Sequence, residues 1–305
     1  MDMKVSFGGL NLKNPVMTAS GTFGFGLEFA PYGDLTKLGG IVAKGLSLKP
    51  REGNPMPRIA ETPCGMLNAI GIQNPGVEDF ITKALPALPW KDVAVIANLY
   101  ACDAAEFGEL AGVLAGEEGV AALEVNVSCP NVKEGGIAFG QDPKQICKVT
   151  EAVKKNAGNK PVIVKLSPNV TDIVTCARAA AEGGADSLSL INTLSGMAVD
   201  IRNRQPRIAN VIAGLSGPAI KPVALRCVHQ VVQAVDIPVV GIGGIASAED
   251  ALEFILVGAH AIQVGTANFL RPDFSFDLVD ELEKLLEDIG AESLDEFRGS
   301  LKLPL

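Results

Sequence analysis

A chain of 305 residues with 26 basic and 35 acidic side chains carries a formal net charge of −9. With 48% hydrophobic residues and a mean hydropathy of +0.27, it has the composition of a packed core, which excludes a disordered or collagen-like chain. The negative field repels phosphate backbones and anionic lipid surfaces, so no nucleic-acid or membrane partner is expected and any anionic ligand has to be held by individual cations.

In chain order, the opening MDMKVSFGGLNLKNP has no basic-then-apolar leader pattern, and no run of about 20 residues is apolar enough to span a bilayer. A cytoplasmic location is expected. Within that opening, Lys4 to Leu12 reads as two short strands joined by a Gly8-Gly9 turn, a hairpin suited to closing the bottom of a barrel. Eight short apolar, β-branched runs come next: Pro15 to Thr18, Gly40 to Lys44, Val93 to Asn98, Leu123 to Asn126, Val162 to Lys165, Ser187 to Asn192, Val239 to Gly241 and Ala261 to Val264. Runs of this kind are how parallel strands buried on both faces look in sequence. Helical periodicity fills the gaps at Ala104 to Gly116, Pro143 to Asn156, Asp172 to Gly183, Pro222 to Val235 and Ala248 to Val257. Asp103, Asp142, Thr171 and Ser247 are the expected caps.

Eight β/α alternations without a break in composition predict one (β/α)8 TIM barrel spanning residues 1–305 as a single domain. Gly45 to Pro75 is too long for an ordinary loop in such a repeat. Its Pro50, Pro55, Pro57, Pro63, Cys64, Gly65 and Asn68 predict an ordered, turn-rich wall inserted over the C-terminal mouth. Asp273 to Leu305 reads as barrel-closing helices.

Lys44, Asn98, Asn126, Lys165 and Asn192 stand at the C-terminal ends of strands that are otherwise apolar. One Asn there commonly caps a turn and one Lys commonly lies on a rim. Five on five strands converge on the mouth, where barrel active sites are built. Amides and ammonium groups at one mouth, with no carboxylate or His cluster expected beside them, describe a site for a planar, acceptor-rich or anionic ligand. Gly241-Ile242-Gly243-Gly244 after the seventh strand and Gly265-Thr266 after the eighth form a pair of turns in which backbone N–H groups can reach a phosphate.

The six cysteines form no CxxC pair, and with only His229 and His260 beside them no structural metal site is expected. Free thiols in a reducing compartment fit better, with Cys64, Cys102, Cys147, Cys176 and Cys227 read as small buried hydrophobes and both His as structural. Cys129 differs, because it lies in the polar stretch Asn126-Val127-Ser128-Cys129-Pro130-Asn131 at the mouth. A thiol there can act as nucleophile or as general base.

That stretch, together with Gly65-Met66-Leu67-Asn68-Ala69-Ile70-Gly71-Ile72-Gln73-Asn74-Pro75-Gly76, Lys165-Leu166-Ser167-Pro168-Asn169, Ile191-Asn192-Thr193 and Gly214-Leu215-Ser216-Gly217-Pro218-Ala219-Ile220-Lys221-Pro222, resembles dihydroorotate dehydrogenase. More narrowly it resembles the NAD-linked class 1B catalytic subunits. The resemblance runs from Ser20-Gly21 to Gly265-Thr266. It implies FMN-dependent oxidation of (S)-dihydroorotate to orotate in pyrimidine biosynthesis, with Cys129 as the base for the C5 proton and FMN N5 accepting hydride from C6. It further implies substrate contacts from Lys44, Asn68, Asn126, Asn131, Asn192 and Thr193, with Ile70, Gly71 and Ile72 shaping the pocket. For the flavin it implies Ser20, Gly21, Lys44, Gly45, Asn98, Asn126, Lys165, Ile191 and Gly217, with the phosphate at Gly243, Gly244, Gly265 and Thr266.

The class sets the partners that the resemblance implies. A quinone-linked, membrane-bound class would carry an N-terminal extension and Ser in place of Cys129. The long substrate loop resembles class 1B, which implies an electron-transfer subunit carrying FAD and a [2Fe-2S] cluster in a heterotetramer of two catalytic and two electron-transfer chains. No cluster-type cysteine spacing is present in this chain to hold such a group itself. Three other readings stand beside this one. They are a fumarate-linked class 1A enzyme, a phosphate-binding aldolase or isomerase barrel with Lys165 as a Schiff base, and a non-catalytic binding module.

Overall fold

In the computed structural model, which describes residues 2–128 and 139–304, the chain opens with the antiparallel pair β1 (Val5–Phe7) and β2 (Leu10–Leu12). Gly8 and Gly9 both take left-handed backbone, φ 52° and 86°, as a two-residue hairpin turn requires. A Cβ on Gly8 would lie 2.9 Å from the carbonyl oxygen of Asp186, just ahead of a barrel strand, so the hairpin seats on the N-terminal end of the barrel.

The barrel begins with β3 (Val16–Thr18) and β4 (Gly40–Val42), after which the first excursion forms the hairpin β5 (Ile59–Thr62) and β6 (Gly65–Asn68) and the short helix α1 (Val77–Asp79). It resumes with β7 (Ala94–Leu99), α2 (Ala104–Ala115), β8 (Ala122–Asn126), α3 (Pro143–Asn156), β9 (Val162–Leu166), α4 (Ile173–Glu182) and β10 (Ser187–Leu190). A second excursion holds β11 (Leu194–Gly196), β12 (Val199–Asp200), β13 (Gln205–Pro206) and β14 (Ala213–Ser216). Then come α5 (Lys221–Val232), β15 (Val239–Ile242), α6 (Ala248–Leu256), β16 (Ala261–Val264), α7 (Ala267–Leu270), α8 (Phe274–Asp288) and α9 (Leu294–Phe297).

Eight parallel strands close in the order β3-β4-β7-β8-β9-β10-β15-β16, each paired with its neighbour in the repeat, which is the (β/α)8 barrel expected. Neighbouring helices touch in turn around the outside, and α8 packs back against β3. Both faces of the strands are covered, so Val16, Ile41, Ile96, Leu123, Val164 and Ile262 have no exposed surface. Each such side chain contributes about 1.5–3 kcal/mol by leaving water. Asp103, Asp142 and Ser247 cap their helices through side-chain oxygens that accept backbone N–H bonds, each contributing about 1 kcal/mol.

Four expectations are corrected. Asp172, not Thr171, caps α4, because its carboxylate accepts from Val174 N. The Gly45 to Pro75 wall is not built of turns alone: β5 and β6 join β14 and β11 in a four-stranded antiparallel sheet drawn from both excursions. Cys64 and Cys102 are exposed, Cys64 because it occupies the β5–β6 turn with φ 59°. Beyond α9 the chain from 298 to 304 is not helical.

His260 precedes β16 at the hairpin end, far from the mouth, with its ring 6.4 Å from that of Phe7 and its Nδ1 buried without a partner among the described residues. Burial pushes its ring down to about 4, with Arg298 reinforcing the shift and Asp295 opposing it. The unfolded chain takes up this proton near pH 6.5 while the folded chain waits until about 4. Stability at this residue is therefore complete above 6.5 and lost as pH falls through that window. His260→Leu is expected to remove this part of the pH dependence. Urea midpoints of wild type and variant that fall in parallel from pH 7 to 4.5 would assign the loss to other groups.

Candidate active site

The C-terminal ends of the barrel strands open into a cavity of about 680 Å³, roofed by the four-stranded sheet. Period-2 alternation decides which side chains reach it. Glu124 and Asn126 lie two apart on β8 and share its inward face, while Lys165 on β9 pairs in register with Asn126 and Asn98 on β7 pairs with Glu124. Ser20 and Gly21 follow β3, Lys44 and Gly45 follow β4, and Ile191, Asn192 and Thr193 follow β10. Each of these residues except Glu124 lines the cavity.

The side chains are fixed by one another. Asn192 Nδ2 donates to Asn126 Oδ1 at 3.2 Å, which also accepts from Ser128 N, and Asn192 Oδ1 accepts from Thr193 N at 2.8 Å. Lys165, only 5% exposed, donates from Nζ to Ser20 Oγ at 3.3 Å. Burial pushes the Lys44 ammonium below its ordinary value, opposed by Glu28 and reinforced by Arg58. Burial therefore outweighs the counter-charge that Glu28 offers it.

The roof supplies Asn68 from the end of β6 and the following Ile70, Gly71 and Ile72. Asn54 braces them, its N donating to Ile70 O and its Nδ2 to Ala69 O, both at 3.0 Å. Arg58 holds the same loop, donating from Nε to Asn54 O and from Nη1 to Gln73 Oε1. On the opposite side Gly217, Gly243, Gly244, Gly265 and Thr266 line one end of the cavity, where Thr266 Oγ1 donates to Ser216 Oγ at 2.8 Å and ties the roof to the last β/α turn.

Residues 2–286 match the sequence profile of the family described as dihydroorotate dehydrogenase. The chain belongs to the dihydroorotate dehydrogenase family. It is 78% identical over 304 residues to dihydroorotate dehydrogenase B (NAD(+)), catalytic subunit, of Maridesulfovibrio salexigens, covering 100% of both chains. It is 71% identical over 303 residues to the protein of the same name from Solidesulfovibrio magneticus, covering 99% of each. With the one from Thermoanaerobacter sp. the identity is 55% over 303 residues, covering 99% of this chain and 100% of the other.

In this member of the dihydroorotate dehydrogenase family every described residue expected at the site lines the one cavity. Cys129 and Asn131 lie outside the described residues. One expectation needs correction. The mouth is not free of carboxylates, since Glu28 lines the cavity near Lys44 and Glu124 lies directly beneath it. Sequence reasoning also passes over Arg58 and Ser216. Arg58 gives no signal, because its role depends on a loop fold. Glu124 does, because a charged residue in the middle of the otherwise apolar run ALEVN requires buried partners.

Proposed function

We propose that this chain carries out the FMN-dependent oxidation of (S)-dihydroorotate to orotate and passes the electrons to NAD+ through a partner subunit. The observation that carries the proposal is the gathering of Lys44, Asn68, Asn126, Asn192 and Lys165 around one cavity with a glycine-lined end, in a chain whose relatives are named for this reaction.

The cavity has the features an FMN needs. At its glycine end, Gly243 and Gly244 take left-handed backbone, φ 128° and 77°, leaving room for backbone N–H groups to meet a phosphate. Along its floor Asn98 Oδ1 is buried without a partner among the described residues, an acceptor left for a ring N–H or a hydroxyl. Lys165 adds a buried cation. Ser20, Gly21, Lys44, Gly45, Ile191 and Gly217 complete the walls on which the ring and ribityl chain would lie. Bound FMN supplies the acceptor for the hydride that leaves C6 of the substrate.

The chain's own residues do the rest. Asn68, Asn126 and Asn192, each with a carbonyl and an NH2 group, can match the alternating donors and acceptors of a dihydropyrimidine ring. Lys44, a half-buried ammonium in the cavity wall whose charge Glu28 offsets only in part, suits the substrate carboxylate. Asn131 and Thr193 would add contacts at the ring edge, and Ile70, Gly71 and Ile72 would exclude water. Cys129 takes the C5 proton, which is acidic because it lies alpha to a carbonyl.

The words "catalytic subunit" in the relatives' names support a partner chain. In our reading it carries FAD and a [2Fe-2S] cluster, two copies of each subunit forming a heterotetramer. The barrel of residues 1–305 acts as one unit in the cytoplasm, consistent with its free thiols; no helix among the described residues is long and apolar enough to cross a membrane. The Schiff-base reading of Lys165 loses the argument that no carboxylate stands near it, since Glu124 does. Family membership and the engagement of both Glu124 oxygens by other donors weigh against it.

The test is an anaerobic titration of the purified chain with dihydroorotate, followed by fumarate or NAD+. Flavin bleaching that neither acceptor reverses without the partner supports the proposal. Ready reoxidation by fumarate would move the protein to class 1A, and no flavin absorption after reconstitution with FMN would overturn the reading.

The glycine end makes a further prediction. A Cβ on Gly244 would lie 2.7 Å from Lys221 Cβ and 2.8 Å from Lys221 N, so Gly244→Ala must shift the turn. FMN affinity is expected to fall at least about tenfold, or 1.4 kcal/mol. Gly290→Ala is the control, with a similar φ of 74° and no atom within 4 Å of the new Cβ. Equal FMN affinity in both variants would remove the phosphate from this turn.

A further inference from the structure

Glu124 is fully buried on the inward face of β8, in the layer beneath the cavity. Three donors surround its two oxygens: Asn98 Nδ2 at 2.7 Å, Ser189 Oγ at 2.8 Å and Gln263 Nε2 at 2.7 Å. They come from three other strands, β7, β10 and β16. Lys165 Nζ, from a fifth, stands 3.9 Å away. A carboxylate in this position gives up several kcal/mol of hydration, which its three donors and the Lys165 charge offset and which an apolar side chain would not incur.

We infer that Glu124 is a positioning residue that holds Lys165 and Asn98 toward the cofactor and, by partly offsetting the Lys165 charge, sets how readily the bound flavin is reduced. The inference rests on the FMN reading of the cavity and adds to it a residue that does not line the cavity. Two geometric facts support it. Lys165 Nζ lies between Glu124, 3.9 Å below it, and Ser20 Oγ at the cavity wall, to which it donates, so the carboxylate's attraction draws the ammonium toward the barrel axis while Ser20 holds it at the cavity. Because Glu124 engages Asn98 Nδ2, the Asn98 amide is turned so that Oδ1 is left unpartnered for a ligand.

The sign of the effect follows from Coulomb's law. In a buried site the field of an ammonium favours the anionic reduced flavin, and a carboxylate behind it weakens that field. Glu124→Gln removes the charge and keeps the shape. Its new amide can be satisfied with Asn98 left in place, since Gln263 Oε1 lacks a partner among the described residues and the Gln263 amide can turn over to accept from it.

The experiment measures the flavin midpoint potential of the isolated holoprotein against an indicator dye, beside FMN content and thermal stability. Glu124→Gln is expected to shift the potential to more positive values. At a fixed ratio of dihydroorotate to orotate, the ratio of reduced to oxidised flavin should rise by roughly tenfold, as for two charges several ångströms apart at an intermediate dielectric. Glu124→Asp, which keeps the charge, should return the potential toward wild type. A merely structural glutamate would lower the melting temperature and leave the potential alone. Ser189→Ala reads the same effect without touching Glu124: it strips one donor from the carboxylate, strengthens its field and should shift the potential negative, so the idea stays testable if Glu124→Gln does not fold. Wild-type potentials in the folded variants would overturn the role of Glu124 alone. Absence of flavin from the reconstituted wild type would instead overturn the functional reading beneath it.

Discussion

Cys129→Ala is expected to retain FMN at wild-type stoichiometry while its reduction by dihydroorotate at neutral pH slows by roughly 10²- to 10⁴-fold, the range that a positioned general base contributes. The residue sits in a polar segment directly after β8, the strand whose last residue, Asn126, faces the cavity. Removing the thiol leaves the amide side chains and the glycine end in place, so binding and chemistry should separate. Cys129→Ser is the graded case: a hydroxyl is a weaker acid than a thiol, so activity should recover in part only at high pH. Anaerobic stopped-flow reduction measures both. Flavin reduction at the wild-type rate in Cys129→Ala would remove this residue from the proton transfer.

Lys165→Met is expected to damage both stability and cofactor retention. The ammonium and the Glu124 carboxylate are almost entirely removed from water, with side-chain exposures of 6% and 0%. Taking one charge away leaves the other buried without its counter-ion, an effect of about 3 kcal/mol where such pairs have been broken. Part of this is softened because three donors still hold Glu124. Adding Glu124→Gln to Lys165→Met should restore most of the lost stability, since an uncharged pair carries no such penalty. Urea unfolding of the two single variants and the double variant gives the coupling directly. Strictly additive losses would show that the two charges do not interact across their 3.9 Å separation.

The eight barrel strands are legible in the sequence because strands covered on both faces must be apolar throughout, and runs such as Val162 to Leu166 stand out against any helical period. Polar residues near their C-terminal ends mark the mouth: Asn126 and Lys165 interrupt otherwise apolar runs where the strands emerge at the cavity. The caps at Asp103, Asp142 and Ser247 are local and equally legible. Whatever depends on pairing across long separations is not. Ile59–Thr62 alternates poorly, and nothing in it announces that β6 will find β14. Cys102 reads as buried from its residue type, yet its exposure depends on how the loop after β7 leaves the barrel. Glu124 is visible as an anomaly, but its four partners come from four other strands, and only the closed barrel brings them together.

The roof has a consequence for how the protein becomes active. Residues 66–68 pair with 214–216, and the same β14 strand leads directly into Gly217 and the helix beyond it. That pairing cannot exist until the ribosome has delivered the second excursion, six barrel strands into the repeat. A nascent or truncated chain ending before residue 213 would carry the β5–β6 hairpin with β6 as an unpaired edge and would have neither glycine turn of the cofactor end. On the FMN reading of the cavity, ligand capture is confined to the last stage of folding, and FMN added to a refolding chain is expected to report completion of the molecule rather than formation of its first half.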